Sequence, residues 1–170
     1  MTSAGPDLGR LKKDELERLI SRHEQMGALD KPMYVAAVAE RERRRKGELD
    51  VDTTIAHLIE CARRRLFTTY SDIALANGVE WSKAYRPMRN HLKNILEICA
   101  ARGWPLLTAI CVKKSEAATG QMEGDSLSGF TAGAEGVLRI KIANPRAFLD
   151  QTQQACFEWA AKSAHDRGHA

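Results

Sequence analysis

The chain has 170 residues, with 26 Lys and Arg against 22 Asp and Glu, for a formal net charge of +4. Such a length suits one domain with a small appended helical element, and 44% hydrophobic content is enough for a buried core. The mild positive excess admits a nucleic-acid partner without demanding one, and 6% aromatic content argues against a surface that stacks many bases. No apolar run reaches the roughly 18 residues of a membrane helix.

In chain order, apolar positions at Leu8, Leu11, Leu16, Leu19 and Ile20 mark a first helix ending at Gly27, with Asp14–Glu17 as a second start signal. Asp30-Lys31-Pro32 opens a second helix, with Asp30 as the expected N-cap. It carries Met33, Val35, Ala36, Val38 and Ala39, then the basic run Arg41, Arg43, Arg44, Arg45 and Lys46. A run of this kind suits the negative end of a helix dipole. The two helices read as a hairpin over residues 1–50.

A third helix is expected from Asp52, with a stripe of Ile55, Leu58, Ile59 and Ala62, ending at Arg63-Arg64-Arg65. The extended stretch Phe67–Tyr70 leads to a two-turn helix capped by Ser71 and stopped at Asn77-Gly78. A longer helix follows. Pro87 is tolerated only near a helix start, so its continuous part is placed at about 86–102. Met88, Leu92, Ile95, Leu96 and Cys99 form its apolar stripe, with Arg86, Arg89, Asn90 and Lys93 on or beside the opposite face.

Leu106–Val112 reads as the clearest strand, followed by a loop over Ser115–Ser128 and a second strand near Phe130 or at Gly136–Ile142. Asn144-Pro145 then opens a final helix over about 145–164, its inner stripe being Ala147, Phe148, Gln151, Ala155 and Trp159. A frayed tail spans Ser163–Ala170. Trp81, Trp104 and Trp159 are expected as buried anchors at element boundaries.

The expected fold is α+β and mainly helical: a winged-helix core at 51–143, an N-terminal helical hairpin, and a C-terminal helix at 144–170 packed on the core. In such a helix-turn-helix arrangement the short helix braces the longer one, whose polar face meets duplex DNA, and the loop after the strand serves as a wing. The expected contacts are Tyr70, Ser82, Lys83, Arg86, Arg89, Asn90 and Lys93, with Lys113 and Lys114 assisting at the backbone. His91, among Arg89, Asn90 and Lys93, is expected to be half-exposed.

Thr69-Tyr70-Ser71-Asp72-Ile73-Ala74 resembles the T-Y-G-E-I-A signature of the O6-alkylguanine-DNA alkyltransferases and their inactive alkyltransferase-like relatives. Pro105-Leu106-Leu107, Thr119-Gly120 and Leu127-Ser128-Gly129-Phe130 are similar to later segments of that family, so the resemblance covers about residues 52–130. It implies that Tyr70 matches the tyrosine that helps rotate a nucleotide out of the duplex, and Arg86 the arginine that fills the vacated stack. The family's P-C-H-R motif is missing; this segment reads Thr108-Ala109-Ile110-Cys111-Val112-Lys113. The helix after Arg86 is also about two turns longer.

Cys61, Cys99, Cys111 and Cys156 form no C-x-x-C pair and have no histidine at a zinc-like offset, so neither metal nor cofactor is expected. Cys111 has no neighbouring His or Arg to depress its pKa and reads as a buried thiol. The leading expectation is non-enzymatic DNA binding in regulation or genome maintenance. One alternative is a protein-interaction module whose N-terminal helices dimerise or dock a partner; another is a diverged base- or alkyl-processing enzyme using Cys111. Met1–Pro6 lacks the regions of a secretory leader, so the cytoplasm, or the nucleoid, is the expected location.

Overall fold

The computed structural model describes residues 7–45 and 47–166, the last three by backbone alone. Lys46 and the tail beyond Asp166 fall outside the described residues, as do the first six residues and the side chain of His165. The chain divides into two compact units, Met1–Glu48 and Leu49–Ala170.

In the first unit a 3-10 turn at Leu8–Arg10 precedes α1 (Lys13–Gln25) and α2 (Pro32–Arg45). Leu16, Ile20 and Ala37 make its small core, with Leu8, Leu11, Leu19, Tyr34 and Val38 packed around them. The helix begins at Pro32, with the Lys31 carbonyl accepting from Val35 N–H at 3.1 Å, so Asp30 lies one residue too early to be the cap. The arginines here are largely consumed by carboxylates: Arg18 pairs with Asp14, Arg41 with Glu17, and Arg43 and Arg44 with Glu40. Those two guanidiniums draw the Glu40 pKa down to about 2.

The second unit runs α3 (Val51–Arg63), β1 (Thr68–Thr69), α4 (Tyr70–Ala76), α5 (Trp81–Ala101), β2 (Cys111–Val112), α6 (Gly124–Leu138) and α7 (Pro145–Asp166). It is mainly helical, with a two-stranded parallel sheet in which Thr68 faces Cys111 and Thr69 faces Val112. α3 packs on α4, α5 and α7, and α6 packs on α5 and α7. Leu58, Ile73, Ile95, Leu107, Ile110 and Leu149 are fully buried between them. No helix among the described residues is long and apolar enough to cross a membrane.

Side-chain caps fix the boundaries, and two differ from the sequence expectation. α3 is capped by Asp50, two residues before Asp52, its carboxylate accepting from Thr53 N–H at 2.9 Å. Thr69, not Ser71, caps α4: its hydroxyl accepts from Asp72 N–H while the Asp72 carboxylate accepts from Thr69 N–H. α5 starts at Trp81 and runs through Pro87. Proline at that seventh position carries no N–H for the Lys83 carbonyl, so one rung of the helix ladder is absent.

Three expected β elements are corrected. Leu107–Ile110 forms a 3-10 turn, leaving only Cys111 and Val112 extended. Every residue from Leu106 to Val112 is buried, and such a run has no periodicity that would distinguish strand from turn. Where a wing loop and a second strand were expected, Lys114–Glu116 is a 3-10 turn and α6 covers Gly124–Leu138, including Phe130. Arg139, in a left-handed conformation, ends that helix, and 140–144 is not strand. In α7, capped by Asn144 as expected, the inner positions are Leu149, Thr152, Gln153, Cys156, Phe157 and Ala160, while Gln151 and Ala155 face solvent.

Candidate nucleic-acid interface

α5 carries four cations and one carboxylate, Glu97. Its buried positions, Ala84, Met88, His91, Ile95, Leu96 and Cys99, recur at three- and four-residue spacing and hold one side of the helix in the core. The 3.6-residue period then turns Ser82, Lys83, Arg86, Asn90 and Lys93 outward, and all of them are exposed, as is Arg89. Among the described residues, Lys83, Arg86, Arg89 and Lys93 form no ion pair, in contrast to the arginines of α1 and α2.

α4 supports this helix through a buried polar chain. The Asn77 amide donates to Thr54 Oγ1 (2.9 Å) and to the Ile73 carbonyl (2.8 Å), while its Oδ1 accepts from Asp50 N–H (2.7 Å). The Thr54 hydroxyl in turn shares a hydrogen bond with His91 Nε2 at 2.7 Å. His91 is therefore a buried tie between α3 and α5, with burial pushing its pKa below the ordinary value; the expectation of a half-exposed ring is corrected. Its polar neighbours on the sequence all lie on the outward side of the helix, which is why the pattern misleads.

A groove of about 1010 Å³ runs between α5 and α6. Met88, Leu92, Leu96, Met122 and Phe130 give it an apolar lining, with Arg89, Asn90 and Lys93 also contributing from α5. Tyr70 lines the same groove and is half-buried, its phenol pushed up to about 12 by burial first and by Cys111 and Glu116 second. It stays a neutral hydroxyl. Tyr70 and Lys113 directly follow the paired residues Thr69 and Val112 at the ends of β1 and β2, and both Lys113 and Lys114 are exposed. Glu116 holds the following segment by accepting from Lys113 N–H (3.0 Å), Glu123 N–H (2.9 Å) and the Ser126 hydroxyl (2.7 Å).

No protein-family model, curated protein or solved structure matches this chain. Its chemistry is therefore read from the side chains themselves. Cys111 also lines the groove, yet it is 2% exposed and burial drives its thiol far above the ordinary range, so the thiolate that a nucleophile needs is suppressed. Among the described residues no three or more His, Cys, Asp or Glu side chains cluster to hold a metal ion.

Trp81 and Tyr85 are the site residues that sequence reasoning missed. Trp104 and Trp159 pack together at 5.0 Å, as boundary anchors should, but Trp81 is 45% exposed and Tyr85 50%. The signal was their four-residue spacing, with Lys83 and Arg86 interleaved: positions 81 and 85 continue the Met88–Leu92 stripe towards the N-terminus, and both rings line the α5–α6 groove.

Proposed function

We propose that this protein binds duplex DNA without catalysis, through the outward side of α5, in a regulatory or genome-maintenance role. The observation that carries the reading is the set of exposed cations at 83, 86, 89 and 93, free of ion pairs, on one helix. Arginine and asparagine at adjacent turns supply both phosphate contacts and bidentate donors for base edges. The order α3, β1, α4, α5, β2, with α4 bracing α5, supports a winged-helix-type arrangement, and the likeness at Thr69–Ala74 to the alkyltransferase signature points the same way. In place of a wing, Lys113 and Lys114 extend the basic surface beyond β2.

The test is anisotropy of a labelled duplex titrated with the full chain. If the four α5 cations each neutralise a phosphate, the log–log salt slope is about −4, and affinity falls about 10²-fold between roughly 50 and 200 mM salt. Arg86→Glu with Arg89→Glu should flatten that slope by about 2 or more. Absent binding, salt-independent binding, or an unaffected double variant would refute the reading.

A second reading, a protein-interaction module, has one observation in its favour. Met26 (74% exposed), Leu29 (52%) and Val35 (57%) set three large apolar side chains in solvent around the α1–α2 connection. Self-association through them would appear as a dimer mass by light scattering, and Leu29→Lys with Val35→Lys would abolish it.

A further inference from the structure

The four Phe, three Trp and three Tyr of the chain all lie among the described residues, and only Trp81 and Tyr85 have exposed side chains. Both stand at the start of α5, one turn apart, on the helix that carries the unpaired cations. Large rings are normally buried for the apolar area they remove from water. Here both keep about half their surface in solvent while lining the end of the α5–α6 groove beside Met88 and Arg89.

Their geometry leaves usable faces. The ring centroids are 6.4 Å apart and the planes are inclined at 49°, so neither ring covers the other. The Arg86 guanidinium carbon lies 5.8 Å from the Tyr85 centroid while Nε donates to the phenol oxygen at 3.0 Å. Arg86 thus engages the hydroxyl end of Tyr85, holds the ring in place, and supplies positive charge beside it. An aromatic pair flanked by cations is what a single strand requires: flat π surfaces for bases and charge for the phosphates between them.

We propose that Trp81 and Tyr85 form a stacking platform for unpaired bases, so that DNA with a single-stranded extension is held more tightly than closed duplex. This rests on reading α5 as a DNA-binding helix. Closed duplex hides its base faces in the stack and offers the platform only edges and backbone. A single-stranded extension offers up to two bases for the two rings, while Lys83, Arg86, Arg89 and Lys93 follow the adjoining phosphates.

The experiment compares a blunt duplex, the same duplex with a short overhang, and the overhang strand alone, all against the full chain. The overhang should tighten binding by about tenfold or more, the scale of one stacked base. Trp81→Ala with Tyr85→Ala should abolish that advantage, bringing overhang and blunt duplex to the same affinity, while circular dichroism and the urea midpoint confirm that the double variant is folded. Tryptophan emission should be quenched by the overhang probe, and Trp81→Phe should remove the quench, since Trp104 and Trp159 are half-buried against each other. Equal affinity for blunt and overhang duplex, or an equal loss on every probe in the double variant, overturns the platform and leaves the duplex reading standing. Failure to bind any probe overturns both.

Discussion

Gly120 offers a measurement of how tightly the second unit is packed. It has φ +70, and a Cβ built there would fall inside contact distance of Phe67 Cζ, Cε1 and Cε2, the last at 2.6 Å. Those are ring atoms of a side chain wedged edge-on against Phe157 at 5.6 Å, so they cannot swing aside as a flexible tip would. The backbone is pinned as well. The Gln153 amide donates both to the Gly120 carbonyl (2.8 Å) and to the Ala109 carbonyl (2.9 Å). Gly120→Ala therefore combines left-handed strain, about 1–2 kcal/mol, with overpacking of about 1–3 kcal/mol, for a destabilisation near 3 kcal/mol. Gly78→Ala is the control: its φ is +65, but nothing lies within 4 Å of the added Cβ, so only the backbone contribution of about 1–2 kcal/mol remains. Urea unfolding followed by tryptophan emission gives both values, provided the slope is unchanged. If Gly120→Ala is no more destabilising than Gly78→Ala, the Phe67 wedge is not rigid and the packing argument fails.

Two further outcomes are expected. Burial depresses the His91 pKa in the folded state, so the unfolded chain takes up its proton first. Stability should be intact above about pH 6.5 and fall as the pH drops through that value towards the folded-state pKa; denaturant melts should show this decline in the wild type and not in His91→Gln. Thiol labelling of the native chain should reach half-buried Cys61 first and leave Cys99, Cys111 and Cys156 unmodified until unfolding, because burial raises all four thiols but isolates only the last three from solvent. Rapid native labelling of Cys111 would instead revive a nucleophilic role.

The helices around the site were legible where a stripe and a stop signal coincided. Ile55, Leu58 and Ala62 identify α3, and Asn77-Gly78 terminates α4 where the sequence says it should. α6 was hidden by composition. Its Gly124, Gly129, Gly133 and Gly136 weaken helix propensity, and the serines resemble a loop. Yet Leu127, Phe130, Ala134 and Val137 keep the spacing of a helical stripe, and tertiary packing against α5 outweighs the propensity deficit. Gly133 faces α5 there: a Cβ at this position would lie 3.5 Å from Leu96 Cδ1, an ordinary van der Waals contact, so the packing of α6 on α5 does not require glycine at this point. For the interface, sequence placed the cations on the open side of α5 but assigned Trp81 to a buried boundary, because burial is the usual fate of a tryptophan and only the packing reveals the exception.

The missing rung at Pro87 divides α5 into two pieces with different mechanical duties. Beyond it, His91, Ile95, Leu96 and Cys99 are sunk in the core and cannot shift without opening it. Ahead of it, residues 81–86 anchor mainly through Ala84, and the Lys83 carbonyl is free to turn toward water. Any bending of α5 is therefore concentrated at residues 83–87, where it would change the angle of the two rings and leave the register of Arg89 and Lys93 on the buried part of the helix unchanged.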